Sequence, residues 1–122
     1  TVSDLKRSMS KKERGDKWEE LCVLYLLKVK GYENAWRLKD VPKEILIQQR
    51  LGIKDIGIDL VASKRYGNIV YWYSVQCKYK ANGGVGYNPN TKGYKSKGSV
   101  GTLYFLCTLC KDWSMAETYC DV

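Results

Sequence analysis

The chain has 122 residues and a net charge of +8, with 44% hydrophobic and 28% charged residues. These values predict one soluble domain with its own core and no membrane span, and the polar, basic N-terminal residues predict no secretion signal. Because the sequence contains no histidine, Ser-His-Asp and Cys-His catalysis are excluded, and any hydrolysis would need carboxylates, lysine and a metal ion. The five cysteines, without a secretion signal, predict free thiols in an intracellular protein.

The excess of positive charge lies in one half of the chain. Residues 60–111 contain eight lysine and arginine residues and no acidic residue, and the rest of the chain is neutral. Such segregation predicts a polyanionic partner, although a solubilising surface is the simpler alternative. The basic residues expected to contact nucleic acid are Lys64, Arg65, Lys80, Lys92, Lys95 and Lys97.

The first predicted elements follow a flexible basic arm at residues 1–11, and the predicted single domain covers residues 12–122. From residue 12 to about residue 30 the apolar pattern predicts a helix packed deeply against a sheet, with Gly31 as its end. Residues 32–40 predict a short strand. Pro42 and Gly52 are then placed to begin and end a short helix or ordered loop.

Two strands with alternating residues come next and predict a hairpin. The alternation runs from Ile56 to Ala62 and again from Tyr71 to Tyr79, and the sequence between them is typical of a turn. The following residues 81–98, rich in Gly, Asn, Lys and Tyr, predict a long flexible loop. Residues 99–110 (SVGTLYFLCTLC) predict a second core helix capped by Ser99, and residues 115–122 predict a last strand.

The length of the turn decides which residues of the two predicted strands lie opposite each other. If the turn has two residues, Asp59 lies opposite Gln76, and if it has four, Asp59 lies opposite Ser74. Either length puts Asp59, Gln76 and Lys78 on one face, whereas a three-residue loop would separate them. The opposite, core-facing side is then predicted to carry Ile58, Leu60, Val75 and Cys77.

The shared face has the chemistry of a metal site. A hard divalent ion prefers oxygen ligands, and Asp59, the amide of Gln76 and the backbone carbonyl of Cys77 would supply them. Lys78 could hold the attacking water and offset charge on a phosphate. One carboxylate binds Mg²⁺ weakly, so a second acid is expected, and the WEE segment of the first helix offers Glu19 with Glu20 as the competitor.

These residues resemble the PD-(D/E)xK nuclease superfamily, and within it the Mrr-like branch, where Gln-x-Lys replaces Glu-x-Lys. GIDLVA and VQCKYK are similar to the Asp strand and the Gln-x-Lys strand of that branch. GDKWEELCVLYLLKVKGY is similar to its first helix, with Trp18 in place of a phenylalanine. The resemblance covers about residues 12–122, although the segment 41–54 is longer than a minimal connector. It implies an α/β (α+β) fold with a restriction-endonuclease-like αβββαβ core, in which helices flank a mixed central sheet.

The resemblance also implies a function, namely Mg²⁺- or Mn²⁺-dependent hydrolysis of DNA phosphodiester bonds by an endonuclease. Asp59, Gln76 and the Cys77 carbonyl would bind the metal, Lys78 would position the water, and Glu19 would be an auxiliary metal or water contact. DNA is the implied partner, with a homodimer for double-strand cutting and a fused or separate helicase module as further partners. The alternatives are a non-catalytic nucleic-acid-binding module on the same scaffold and the same chemistry on RNA.

Overall fold

The structure is a computed structural model that describes residues 10–52, 55–79, 86–88, 93–95 and 101–119. Its elements in chain order are α1 (Lys11–Lys28), β1 (Asn34–Arg37), a 3-10 turn (Leu38–Asp40), α2 (Lys43–Gln48), β2 (Leu60–Tyr66), β3 (Ile69–Tyr79), β4 (Gly86–Asn88), β5 (Gly93–Lys95), β6 (Gly101–Cys107), a 3-10 turn (Trp113–Met115) and β7 (Glu117–Tyr119). Five strands form one sheet in the order β1-β2-β3-β6-β7, and β4 pairs with β5. Neither helix in these ranges has the length and apolar character to cross a bilayer.

Helix α1 forms where the sequence predicts it. The Ser10 side chain caps its first turn by accepting a hydrogen bond from the Glu13 N–H at 3.1 Å, which satisfies a donor without a helical partner. The helix ends before Gly31, whose φ of +70° suits glycine and reverses the chain. Of the predicted arm, residues 1–9 lie outside the described residues, and Ser10 and Lys11 are the cap and the first residue of α1.

The hairpin has the predicted two-residue turn. Tyr66 lies directly opposite Ile69, so the turn consists of Gly67 and Asn68, and Gly67 has the positive φ that such turns need. The predicted short strand at 32–40 is confirmed as β1, and the segment after Pro42, predicted to be a short helix or an ordered loop, forms the helix α2.

The predicted second core helix at 99–110 is wrong, because residues 101–107 form the strand β6 between β3 and β7. A continuous apolar run of this length fits a strand buried on both faces as well as it fits a helix. In β6 all residues except Cys107 are buried, so the strand has no polar face that would reveal its period.

The mixed sheet is also wrong in detail for the strands that the structure describes, since all their pairings are antiparallel. A parallel pair needs a crossover connection, usually a helix, and here the segment expected to supply that helix is β6 itself. The predicted long loop at 81–98 contains the β4–β5 ribbon, and its other residues lie outside the described ranges.

The two faces of the sheet bury different hydrophobic clusters. Helix α1 covers one face through Trp18, Cys22 and Leu26, which recur every four residues and form one stripe. The strand residues under that stripe are Leu60, Ala62, Val75, Cys77, Leu103 and Phe105. The other face holds two clusters, around Val41, Leu51 and Val61 and around Tyr104, Leu106 and Trp113.

The predicted place of Ile58 on the α1 face is wrong, because Ile58 packs against both clusters of the other face. The cause is a turn just before β2. There the Ile58 N–H donates to the Asp55 carbonyl at 3.4 Å, and Gly57 has a φ of +82°. The strand alternation therefore begins only after this turn.

The contact between Gly101 and Trp18 gives a stability prediction. A Cβ at position 101 would overlap the indole of Trp18, whereas one at Gly15 in α1 would meet nothing within 4 Å. Gly101→Ala is therefore expected to lower the free energy of unfolding by about 1–3 kcal/mol. Gly15→Ala is expected to raise it by about 0.5–1 kcal/mol, because alanine favours a helix. Urea unfolding checks both values, and an unchanged midpoint for Gly101→Ala would contradict the contact.

Candidate active site

Asp59 lies just before β2 and is held by hydrogen bonds on both sides. Its N–H donates to the Val75 carbonyl at 2.9 Å, and its carbonyl accepts from the Leu38 N–H at 3.1 Å. Its side chain continues the pairing, because Oδ2 accepts from the Cys77 N–H at 2.8 Å. The regular register ends at the Leu60–Val75 pair, and beyond it the Asp59 carboxylate takes the place of a backbone acceptor.

Gln76 and Lys78 lie on β3 beside Asp59. The Gln76 side chain is only 2% exposed, and its Nε2 donates to the Gly57 carbonyl at 3.0 Å. The turn before β2 therefore fixes the direction of the amide. Lys78 is half-buried, and its charge acts on Asp59. The structure thus brings the three residues of the predicted trio to one end of the β2–β3 hairpin.

The two acids of the WEE segment occupy different surroundings. Glu19 is directed toward the sheet, where its Oε1 accepts from the Nε of Arg37 at 3.0 Å and its side chain is 25% exposed. Glu20 is 48% exposed and pairs with Lys17 on the same helix at 3.2 Å. Glu19 is therefore the acid of this segment that faces the end of the hairpin.

The carboxylates of Asp59 and Glu19 both have raised pKa values, and Asp59 contributes to the rise at Glu19. Burial raises the pKa of Asp59, and the Cys77 N–H and the charges of Lys78 and Arg37 oppose that rise. Burial also raises the pKa of Glu19, followed by the negative charge of Asp59, and Arg37 again opposes the rise. Two carboxylates with raised pKa values at one place are typical of a site that receives a cation or moves a proton.

A comparison with models of known protein families assigns the chain to a family. The family model Mrr_cat_2, described as a restriction endonuclease, matches residues 27–89, a segment that includes Asp59, Gln76 and Lys78. The chain belongs to this restriction endonuclease family. No curated protein and no solved structure matches it. The α+β restriction-endonuclease-like fold expected from the sequence is confirmed, and the family indicates a nuclease.

Sequence reasoning missed one arginine of this nuclease domain. Arg37 lies on β1, and its guanidinium binds Glu19 and also Asp16, through Nη2 and Oδ1 at 3.0 Å. Its side chain is 16% exposed. The alternation along the predicted strand could have identified Arg37, because it lies on the same face of β1 as Ala35, which is buried under α1. An arginine on a core-facing position needs acidic partners.

Two of the basic residues expected to bind nucleic acid, Lys64 and Arg65, lie away from Asp59. Lys64 and Arg65 lie five and six residues further along β2, which is roughly 16–20 Å away along the strand. Lys64 Nζ sits 4.9 Å from the ring centroid of Tyr32, and Arg65 binds Glu33 at 2.8 and 3.1 Å. Lys95 lies in β5, and Lys80, Lys92 and Lys97 lie outside the described residues.

The cysteines of the nuclease domain are free thiols where the structure describes them, at positions 22, 77, 107 and 110. Burial raises the pKa of Cys77 well above its usual range, with a further contribution from the thiol of Cys22. The side chain of Cys77 thus belongs to the core under α1, while its backbone holds Asp59. Its carbonyl as a metal ligand stays a prediction.

The raised pKa of Asp59 gives a second stability prediction. Because the folded-state pKa lies above the unfolded value, the ionised carboxylate costs stability above the folded pKa, and that cost vanishes below the unfolded pKa. Asp59→Asn removes the charge and keeps an oxygen for the Cys77 N–H. The free energy of unfolding at about pH 7.5 is therefore expected to rise by about 0.5–2 kcal/mol.

Urea unfolding at several pH values checks this expectation, and the gain should shrink as the pH falls through the pKa of Asp59. Asp112→Asn is the matched control with the opposite sign. The pKa of Asp112 is lowered by hydrogen bonds from Ser114, so removing that charge should lower the unfolding midpoint. A less stable Asp59→Asn protein at neutral pH would contradict the prediction.

Proposed function

We propose that the chain is a divalent-metal-dependent endonuclease that hydrolyses DNA phosphodiester bonds. The observation that supports it best is the approach of two carboxylates from separate elements, Asp59 before β2 and Glu19 on α1, where the charge of Asp59 raises the pKa of Glu19. Lys78 adds a positive charge beside them. This combination occurs in a member of a restriction endonuclease family, for which DNA is the natural substrate class.

The donor set fits a hard divalent ion. In the part of the chain that the structure describes, no three His, Cys, Asp or Glu side chains form a ready metal cluster. Mg²⁺ needs none, since one or two carboxylates usually hold it together with waters and substrate phosphates. The Cys77 N–H occupies one acceptor position of Asp59, and a carboxylate has about four such positions. Asp59 and Glu19 would hold the ion, with Gln76 and the Cys77 carbonyl as further oxygen ligands.

Each residue of the site then has a distinct task. The bound ion would acidify water and offset the charge of the phosphate. The Cys77 N–H fixes the carboxylate of Asp59, and the Gly57 carbonyl orients the amide of Gln76. Lys78 would orient the attacking water and stabilise the negative charge that grows on the phosphate oxygens.

The partners we propose follow from the substrate. The positive half of the chain would contact the phosphate backbone, which gives binding without sequence preference. One site cuts one strand, so a double-strand cut would take two copies of the chain, and a symmetric dimer is the usual arrangement. A helicase module, fused or separate, would supply opened DNA to an intracellular nuclease of this kind.

The first activity prediction concerns Asp59 and Lys78. Asp59→Ala and Lys78→Ala are each expected to lower DNA cleavage at least about 100-fold, because each removes a charge needed at the reacting phosphate. Plasmid and branched DNA with Mg²⁺ or Mn²⁺ are the substrates. Lys28→Ala, at an exposed position of the last turn of α1, is the matched control and should cleave like the wild type.

Cleavage that persists in both Asp59→Ala and Lys78→Ala would rule out this site. Salt-dependent DNA binding without turnover in any metal would favour the non-catalytic binding module, and Asp59→Ala should then bind as well or better. Faster cleavage of an RNA strand of matched sequence would move the substrate from DNA to RNA.

The second activity prediction separates two neighbouring acids. Glu19→Gln is expected to lower cleavage at limiting Mg²⁺ at least about 10-fold, because Glu19 faces Asp59. Glu20→Gln makes the same chemical change on the outer side of the helix and should alter cleavage less than about twofold, in line with the small value of exposed ion pairs. Metal titrations of the cleavage rate measure both. A larger loss in Glu20→Gln than in Glu19→Gln would overturn the assignment of Glu19.

A further inference from the structure

We propose that Arg37 is a positioning residue that holds the Glu19 carboxylate toward Asp59 and thereby sets the affinity of the site for a divalent metal ion. The inference rests on the proposed function, since it assigns a role to a residue that supports the proposed metal site. Arg37 would touch neither the ion nor the substrate, and it would act through Glu19.

The geometry of Arg37 joins three elements at the site. Nε donates to Glu19 and Nη2 donates to Asp16, each at 3.0 Å. The two acids are three residues apart on α1, so they lie on one face of the helix. On β1, Arg37 pairs with Leu60, the residue that follows Asp59. The guanidinium therefore ties α1 to the strand end from which Asp59 projects.

The electrostatics explain why Glu19 needs such an anchor. Asp59 repels Glu19 and burial disfavours its charge, as the raised pKa of Glu19 records. A glutamate has several rotatable bonds and a quarter of this side chain reaches solvent, so an unanchored Glu19 would turn away from Asp59. The bond from Arg37 opposes that movement, and the bond to Asp16 fixes the guanidinium in turn.

Lysine could not replace the arginine in this role. The planar guanidinium offers donors in fixed directions, and here two of them reach two different carboxylates. An ammonium group has the same charge without those directions. Arg37→Lys therefore keeps the charge near the site and removes the geometry, which separates positioning from a simple charge effect.

The chain contains its own matched control. Arg65 also donates to a carboxylate through two nitrogens, in this case to Glu33. That pair is about half exposed and lies toward the turn end of β2, away from Asp59. Arg65→Lys thus makes the same substitution in a similar ion pair outside the proposed metal site.

The experiment compares the metal dependence of the wild type, Arg37→Lys and Arg65→Lys. Mn²⁺ binding is measured by electron paramagnetic resonance without DNA, and cleavage is titrated with Mg²⁺. For Arg37→Lys we expect the metal concentration at half-saturation to rise about 10-fold or more in both assays, with the cleavage rate largely restored at saturating metal. Arg65→Lys is compared in the Mn²⁺ binding assay without DNA, where it should stay within about twofold of the wild type.

Equal Mn²⁺ binding by Arg37→Lys and Arg65→Lys would overturn the inference. So would a lower rate at saturating metal with unchanged Mn²⁺ binding, since Arg37 would then act on the substrate.

If circular dichroism shows that Arg37→Lys is unfolded, Asp16→Asn replaces it. Glu20→Gln is its control, because it removes a charge from the same helix without removing a bond to Arg37. Equal Mn²⁺ binding by these two would also overturn the inference.

Measurements on the wild type show whether a negative result contradicts the proposed function or only the role of Arg37. A wild-type chain that neither binds Mn²⁺ nor cleaves DNA would contradict the proposed function, and the role of Arg37 would fall with it. A metal-dependent wild type with an unaffected Arg37→Lys variant would leave the nuclease proposal intact and contradict the positioning role alone.

Discussion

The candidate site depends on one hydrogen bond, from the Cys77 N–H to the carboxylate of Asp59. Where β2 begins, regular pairing with β3 stops and this side chain supplies the acceptor for the next N–H of β3. The same residue holds Val75 and Leu38 through its backbone. One acidic residue therefore closes the end of the sheet and carries its charge into a place where burial disfavours it. The sheet can hold this residue in place because β3 and the 3-10 turn after β1 together make three hydrogen bonds with it.

Sequence reasoning predicted most of this arrangement. The hairpin has one of the two predicted turn lengths, with two residues at Gly67 and Asn68, and the shared face of Asp59, Gln76 and Lys78 stays a prediction. The helix pattern placed Glu19 on the element that covers the sheet. The predictions of the hairpin and the helix succeeded because alternation along a half-exposed strand and the stripe of an amphipathic helix are local properties.

The wrong or missing predictions concern places where the periodicity of the sequence does not show which other elements a segment contacts. The run from Gly101 to Cys107 is apolar except for Thr102, so neither a strand nor a helix period was visible, and its pairing with β3 decided the outcome. Ile58 left its expected face because a turn interrupts the alternation one residue before Asp59. Arg37 was missed because its partners lie 18 and 21 residues away along the chain, and only the packing of α1 on β1 brings them together.

Cys77 has two separate roles, one for its side chain and one for its backbone. Its side chain packs under α1 with Cys22, and its backbone N–H holds the catalytic candidate Asp59. Every amino acid except proline has that N–H, so selection for chemistry places almost no demand on the side chain at this position. Relatives of this chain can therefore exchange the residue between Gln76 and Lys78 for others of similar volume. Differences at this position would reflect how the first helix packs on the sheet in each relative. The same residue in all relatives would not by itself show a catalytic role.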